Sequence, residues 1–167
     1  AVTEMIKRMK SENLILKDKE NGYLLTDIGL KLVSELYRKH RLIEVFLVHH
    51  LDYTSDQIHE EAEVLEHTVS DLFVKRLDKL LGFPQTCPHG GTIPAEGELL
   101  VEINNLPLAA VQEAGTYLLT RVHDSFELLK YLEKHAIHIG DQLQVKQFDG
   151  FSNSFTLVNK DEDLQVS

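Results

Sequence analysis

The pair Asn21-Gly22 leaves this chain the least freedom. It lies in LILKDKENGYLLT (14–26), where two apolar ends flank a charged centre. A two-residue hairpin turn needs positive φ at its centre, which Asn and Gly tolerate best. The segment is therefore predicted to be a small two-stranded hairpin. Upstream, Val2, Met5, Ile6 and Met9 recur at helical spacing, with Lys7, Arg8 and Lys10 on the remaining surface. That pattern predicts a helix over 1–12. Downstream, Thr26-Asp27-Ile28-Gly29 opens a long helical stretch over 27–51, with Leu30, Val33, Leu36, Tyr37, Ile43, Phe46 and Leu47 on its apolar face. A helix followed by such a hairpin is the back half of a winged helix-turn-helix. No residue precedes Ala1 to cap the first helix, so the expectation is a chain that lacks its N-terminal part.

The rest alternates between helices and a β-rich end. Asp52-Tyr53-Thr54-Ser55 breaks the long helix and is expected to cap the next, over 55–66. His67-Thr68-Val69-Ser70 precedes a third helix over 70–81, which Gly82-Phe83-Pro84 ends. The loop PQTCPHGGTIPAEGE (84–98) is longer than most helix connections, and loops of that length are often functional. From Asn104 the character changes. Residues 115–122, 139–145 and 154–158 read as strands and 125–135 as a short helix, which suggests a small β-barrel with one helix. The fold class is α+β and mainly helical.

Charge separates the chain into two parts. The net charge is −10, which at first argues against nucleic acid. Residues 1–41, however, hold nine Lys/Arg and six Asp/Glu, a balance of +3, and residues 42–167 hold eight and twenty-one, a balance of −13. A basic end on an acidic body suggests one surface for phosphate and another for cations. The single cysteine, Cys87, excludes an intrachain disulfide framework and fits a reducing cytoplasm. No apolar run approaches the roughly 18 residues of a membrane span, and no signal peptide is evident.

Two stretches carry most of the chemistry. In RKHRLIE (38–44), His40 and Glu44 are four apart and share a helical face. In IHEEAEVLEH (58–67), His59, Glu63, Glu66 and His67 also fall on one face. Six candidate ligands on two helical stripes make a metal-binding arrangement. Mixed imidazole and carboxylate donors suit Mn, Fe, Co, Ni or Zn rather than Ca or Mg. HEEAE is not the zinc-peptidase pattern HExxH, because Glu63 stands where the second His belongs. A metal-dependent hydrolase therefore loses its best anchor, and a metal-storage protein is the other alternative. Cys87-Pro88-His89 adds a thiol and an imidazole that can reach one ion. Asp124-x-x-Glu127 reads as a capping box at the start of the C-terminal helix. His49, His50, His135 and His138 have no evident partners.

The basic helix and hairpin, RKHRLIE and IHEEAEVLEH together resemble the diphtheria toxin repressor family, and most closely its manganese-responsive branch. The resemblance extends over nearly the whole chain. Its most specific residues are His40 with Glu44, His59, and Glu66-His67. Glu63 marks the branch, since iron-responsive members carry a cysteine at that position. A hard carboxylate in place of a soft thiolate moves a site towards manganese.

The resemblance implies three domains: a partial winged helix-turn-helix over 1–28, a helical metal-binding and dimerisation domain over 29–103, and an SH3-like (FeoA-like) domain over 104–167. It implies one metal site from Glu63, Glu66 and His67 with an acidic residue of a preceding helix. A second would use His40, Glu44 and His59 with Asp124, which the family turns from cap to ligand. Cys87 and His89 would share Glu44 and Asp124. Mn2+ is the implied cofactor, with Fe2+, Zn2+ or Cd2+ able to substitute. The implied partners are a second copy of the chain and double-stranded DNA with a palindromic operator. Thr3, Lys7, Arg8 and Lys10 of the recognition helix, with Lys17 and Lys19 on the wing, would meet the DNA. The function implied is a cytoplasmic, non-enzymatic repressor of metal-uptake genes.

Overall fold

The computed structural model describes residues 2–55, 57–103, 106–151, 154–159 and 162–166. Helix α1 (Val2–Ser11) leads into the hairpin of β1 (Ile15–Asp18) and β2 (Gly22–Leu25). The strands pair antiparallel with Asp18 opposite Gly22, so Lys19, Glu20 and Asn21 form the turn and Gly22 opens β2, where a two-residue turn at Asn21-Gly22 was expected. Gly22 has φ +80°. The Asp18 carboxylate accepts from the backbone N–H groups of Glu20 and Asn21, at 2.9 and 2.7 Å, and holds the turn shut.

Helix α2 (Asp27–Leu51) is the spine of the molecule. Thr26 caps it by accepting from Gly29 N at 3.0 Å, and the same hydroxyl donates to Asn13 O at 2.5 Å. One side chain thus starts the spine and ties it to the end of α1. Asp52, with φ 56°, closes the far end in the left-handed region, its N–H donating to Leu47 O.

Helix α3 (Ile58–Glu66) starts three residues later than predicted. Its N-cap is Gln57, without a side-chain cap bond, while Thr54 N donates to Gln57 Oε1 at 3.3 Å in the preceding turn. The expected cap at 52–55 is thus spent on the turn rather than on the helix. Helix α4 (Asp71–Leu80) begins where Ser70 accepts from Phe73 N. The three helices and the following loop share one core built on Leu42, Ile43, Leu47, Ile58, Ala62, Val74, Leu77 and Ile93. Its centre is dry: Leu42, Ile58 and Ala62 are fully buried.

The C-terminal region is a four-stranded antiparallel sheet in the order β3-β4-β5-β6, with one helix, as expected of a small SH3-like domain. Its elements are β3 (Gly115–Leu118), α5 (Phe126–Lys134), β4 (Gln142–Asp149), β5 (Ser154–Asn159) and β6 (Glu162–Val166). Leu132, Ile137, Leu143, Val145, Phe155, Leu157 and Leu164 form a second, separate core. A 3-10 turn (Leu108–Ala110) precedes it. The boundary expected at Asn104 falls outside the described residues.

Strand β3 is shorter than predicted, and the reason places a functional segment. Leu119 still bonds to the β4 side, through Asp141 O at 2.8 Å and Gly140 N at 2.8 Å. Val122 N instead donates to His89 O, at 3.0 Å, in the loop after α4. The chain leaves its own sheet to pair with the helical domain. Strand β6 was not foreseen, because EDLQV carries only two apolar residues.

Candidate metal centre

Helix α2 brings His40 and Glu44 one turn apart on the face that meets α3. The loop over 84–98 folds back on itself through a bridge between Thr86 and Thr92, with Cys87 N bonded to Gly91 O at 2.9 Å. This presents Cys87 and His89 inward, both buried. Gly90 has φ +82°, and a Cβ there would lie 2.0 Å from Thr120 O, so only glycine lets the loop approach the C-terminal domain this closely. The segment after β3, drawn across by the Val122–His89 bond, delivers Asp124.

These segments enclose a cavity of about 490 Å3. Its walls include His40, Glu44, His59, Glu63, Glu66, Cys87, His89 and Asp124, eight of the nine candidate ligands. Ligand atoms of His40, Glu44, His59 and Asp124 lie within 4.8 Å of one another, and so do those of Glu44, Cys87 and His89. Glu44 belongs to both groups. Its Oε1 is 3.2 Å from His40 Nε2 and 3.3 Å from His89 Nδ1. His89 Nδ1 also lies 3.9 Å from Asp124 Oδ2.

The remaining three candidates are arranged differently. Glu66 is buried and its Oε2 is 2.6 Å from His40 Nδ1. Its other oxygen is 3.5 Å from His67 Nε2. His67 is 73% exposed and Glu63 lies at the exposed edge of the cavity. Glu66 therefore links His40 inside the cavity to His67, which is exposed, and Glu63 stands at the cavity's exposed edge.

Asp124 does not cap α5, contrary to the capping-box reading. The N-cap is Ser125, which makes no side-chain cap bond, and Glu127 instead meets Ser125 Oγ at 3.5 Å. The Asp124 carboxylate is turned away from the helix and pressed against His59 Nδ1. The physical reason is the Val122–His89 pairing, which points the segment at α3 before the helix begins.

The electrostatics suit a cation. His59 Nδ1 is buried and has no hydrogen-bond partner, although Asp124 Oδ2 touches it. An imidazole nitrogen and a carboxylate oxygen brought together in this way are two groups that one cation could share. Glu44 is almost fully buried. Burial alone would raise its pKa, but hydrogen bonds from His40 and His89 and their charge hold it down at about 2. Burial alone would lower His89, yet the Cys87 side chain and the Glu44 carboxylate bring it up to about 11. His40 is raised as well, against burial, by Glu44 and Glu66. His89 Nε2 donates to Ser55 O at 3.0 Å, which leaves Nδ1 as the nitrogen facing Glu44. Hydrogen bonds and charge from His40 and His89 thus hold the carboxylates together where a divalent ion could replace them. Two imidazoles and two carboxylates, with a thiol alongside, fit a first-row divalent metal.

Sequence reasoning missed the charged residues that frame the cavity. Arg41 is buried, and its Nη2 donates to Glu102 Oε1 at 2.6 Å. Arg121 approaches the same oxygen at 3.3 Å. Arg41 also lies over the Tyr37 ring, 4.7 Å from its centre. No spacing rule pairs residues sixty positions apart, and Arg41 beside His40 reads as an ordinary solvated charge. The six candidate DNA residues, Thr3, Lys7, Arg8, Lys10, Lys17 and Lys19, are all exposed on α1 and the hairpin. Arg8 pairs with Glu12 at 3.4 Å.

Comparison with known proteins agrees with this geometry. Residues 26–95 match the family model of the iron dependent repressor, metal binding and dimerisation domain, and residues 106–167 match the FeoA domain. The chain is 59% identical to the manganese regulator SloR, with a TM-score of 0.92 over 100% of this chain and 78% of that one. It is 60% identical to ScaR with bound Cd2+, with a TM-score of 0.94 over 99% of this chain and 78% of that one. It is 26% identical to the diphtheria toxin repressor of Corynebacterium diphtheriae, over 99% of this chain and 76% of the relative. These relatives are regulators rather than hydrolases or storage proteins. Ligand groups gathered between a helical domain and an FeoA domain, at nearly 60% identity to solved regulators, place this chain in the diphtheria toxin repressor family of metal-dependent transcriptional regulators.

Proposed function

We propose that this chain is a manganese-responsive, DNA-binding repressor of metal-uptake genes, acting in the cytoplasm as a homodimer on a palindromic operator. The observation that carries the proposal is the convergence of His40, Glu44, His59 and Asp124, whose ligand atoms lie within 4.8 Å. Three come from the helical domain and the fourth from beyond β3, so occupancy of this place is sensed by two domains at once. Domain limits of 1–28, 29–103 and 104–167 fit this division of labour.

His40, Glu44, His59 and Asp124 would hold one ion. Cys87 and His89 would bind through the shared Glu44 and Asp124. Glu63, Glu66 and His67 would serve a second site, completed by a donor from outside these residues. Mn2+, or Fe2+, Zn2+ or Cd2+ in its place, would supply positive charge that draws the carboxylates and imidazoles to one point. The chain's own residues do the rest. His40 and His89 give up protons, Asp124 fixes the C-terminal domain on α3, and α2 transmits the fixed geometry to α1 through the Thr26 cap. In the dimer, the distance between the two copies of α1 then matches successive turns of the major groove. Thr3, Lys7, Arg8 and Lys10 would read or grip the duplex, and Lys17 and Lys19 would meet phosphate.

The test is fluorescence anisotropy with a palindromic duplex, titrating Mn2+ at fixed salt. The expected result is tightening of about tenfold or more, about 1.4 kcal/mol of coupling, reversed by a chelator. Weak binding indifferent to metal would overturn the assignment.

A further inference from the structure

Glu102 lies in the short connection between the two matched family domains, which end at 95 and begin at 106. It is joined to three of the four segments that supply candidate ligands: α2, the 84–98 loop and the segment leading to Asp124. Its Oε1 accepts from Arg41 Nη2 at 2.6 Å and faces Arg121 Nη2 at 3.3 Å. Its Oε2 accepts from Thr92 N at 2.9 Å. Arg41 Nη1 donates to Thr92 O at 2.5 Å, so both backbone groups of Thr92 are held by one ion pair. Ile103 N returns to Thr92 Oγ1 at 3.1 Å.

The positions of these partners give the network its meaning. Arg41 follows His40 and lies one turn before Glu44 on α2. Thr92 closes the bridge that shapes the loop carrying Cys87 and His89. Arg121 stands three residues before Asp124. Gly91 makes room for the arrangement, since a Cβ there would lie 2.7 Å from Arg41 Cζ. Arg41 side-chain atoms are 8% exposed and those of Glu102 18%, so the pair is shielded and hydrogen-bonded rather than a loose surface contact.

We infer that Glu102 and Arg41 form a positioning clasp that gathers α2, the 84–98 loop and the Asp124 segment into one preassembled metal centre. The inference rests on the metal-centre reading above. Neither residue touches the ion. Their work is to hold three ligand-bearing segments in register before metal arrives, so that binding does not have to order them. Removing such an outer partner typically weakens metal affinity about 10- to 100-fold.

The experiment titrates Mn2+ into the full-length protein by calorimetry, comparing wild type with Glu102→Gln, Glu102→Ala and the ligand variant Glu44→Gln. Saturating Cd2+ then reports Cys87 through its thiolate charge-transfer absorption, and hydrogen exchange follows the Thr92 amide in the metal-free state. Glu102→Gln preserves size, so it reads the clasp even if Glu102→Ala fails to fold. The clasp predicts Mn2+ affinity reduced about tenfold or more in Glu102→Gln, the thiolate band retained at saturation, and faster exchange at Thr92. Wild-type Mn2+ affinity in a folded Glu102→Gln, alongside loss of binding in Glu44→Gln, overturns the clasp and leaves the metal centre standing. A lower melting temperature with unchanged affinity overturns it equally, because that is stabilisation without positioning. Failure of the wild type to bind Mn2+ overturns the metal reading and the clasp with it.

Discussion

Glu44 sits where the two ligand groups meet, with His40 on one side at 3.2 Å and His89 on the other at 3.3 Å. It is 1% exposed, and hydrogen bonds and charge from His40 and His89 stabilise its carboxylate. Two consequences follow at this scale. Glu44→Gln removes the charge with little change in shape, and we expect it to abolish Mn2+ binding in calorimetry while leaving the circular dichroism spectrum intact. Because His89 is brought up to about 11, metal must displace a proton through the neutral range. Apparent Mn2+ affinity therefore rises with pH, by about tenfold per unit for each proton displaced. Calorimetry in buffers of different ionisation enthalpy checks that proton release. The metal-free fold has the opposite dependence on each partner. The stabilisation from His89 is complete below the ordinary histidine pKa and is lost as pH rises towards 11, and that from Glu44 is complete above the ordinary carboxylate range and is lost as pH falls towards 2. The spacing of His40 with Glu44, and of the 59–67 stripe, singled these residues out as candidate ligands, since helical period alone places them on faces, and of the stripe the structure brings His59 into the cluster around Glu44. Asp124 was readable as a ligand only through the family, because its local pattern is that of a cap. Arg41 and Glu102 were not legible, because their pairing depends on how the chain after the 84–98 loop folds back onto α2.

At the scale of elements, Thr26 and Gly29 decide how the hairpin and α1 are joined to the spine. Thr26 accepts from Gly29 N and donates to Asn13 O. A Cβ on Gly29 would lie 2.0 Å from Leu14 O, a backbone atom that cannot move aside cheaply. Thr26→Ala is expected to cost about 1–2 kcal/mol in urea denaturation. Gly29→Ala is expected to push α2 away from the hairpin, and so to weaken metal-dependent DNA binding more than metal binding itself, measured by anisotropy and calorimetry on the same protein. The hairpin was legible from Asn21-Gly22 and the start of α2 from Thr26, but the turn itself falls on Lys19-Glu20-Asn21, because the Asp18 carboxylate collects the Glu20 and Asn21 amides. The late start of α3 and the early end of β3 did not, because a competing turn set the first and a bond to another domain set the second. Strand β6 escaped notice for a simpler reason: Asp163 and Gln165 on its exposed face are polar and its apolar content is small.

Over the whole molecule, charge and position agree. Helix α1 and the hairpin adjoin the start of α2, and the candidate ligands gather around His40 and Glu44 in its second half. A protein with this division should bind DNA with steep salt dependence despite a net charge of −10. Double substitution of Lys17 and Lys19 with Ala should lower affinity across all duplex sequences and flatten the slope of affinity against salt, as measured by anisotropy at several ionic strengths. The charge asymmetry was visible in the sequence. What it could not reveal was that the candidate centre draws residues from both matched segments, 26–95 and 106–167, the feature that under the proposed function makes metal a switch rather than a staple within one fold.

That feature is tested most directly with Asp124→Asn. The measurement is the affinity of wild type and variant for one palindromic duplex, by anisotropy, with and without saturating Mn2+ at the same salt. The account predicts that Mn2+ tightens wild-type binding about tenfold or more and tightens the variant far less, with their metal-free affinities equal. Equal enhancement by Mn2+ in both proteins would contradict it, because the C-terminal domain would then have no part in the response.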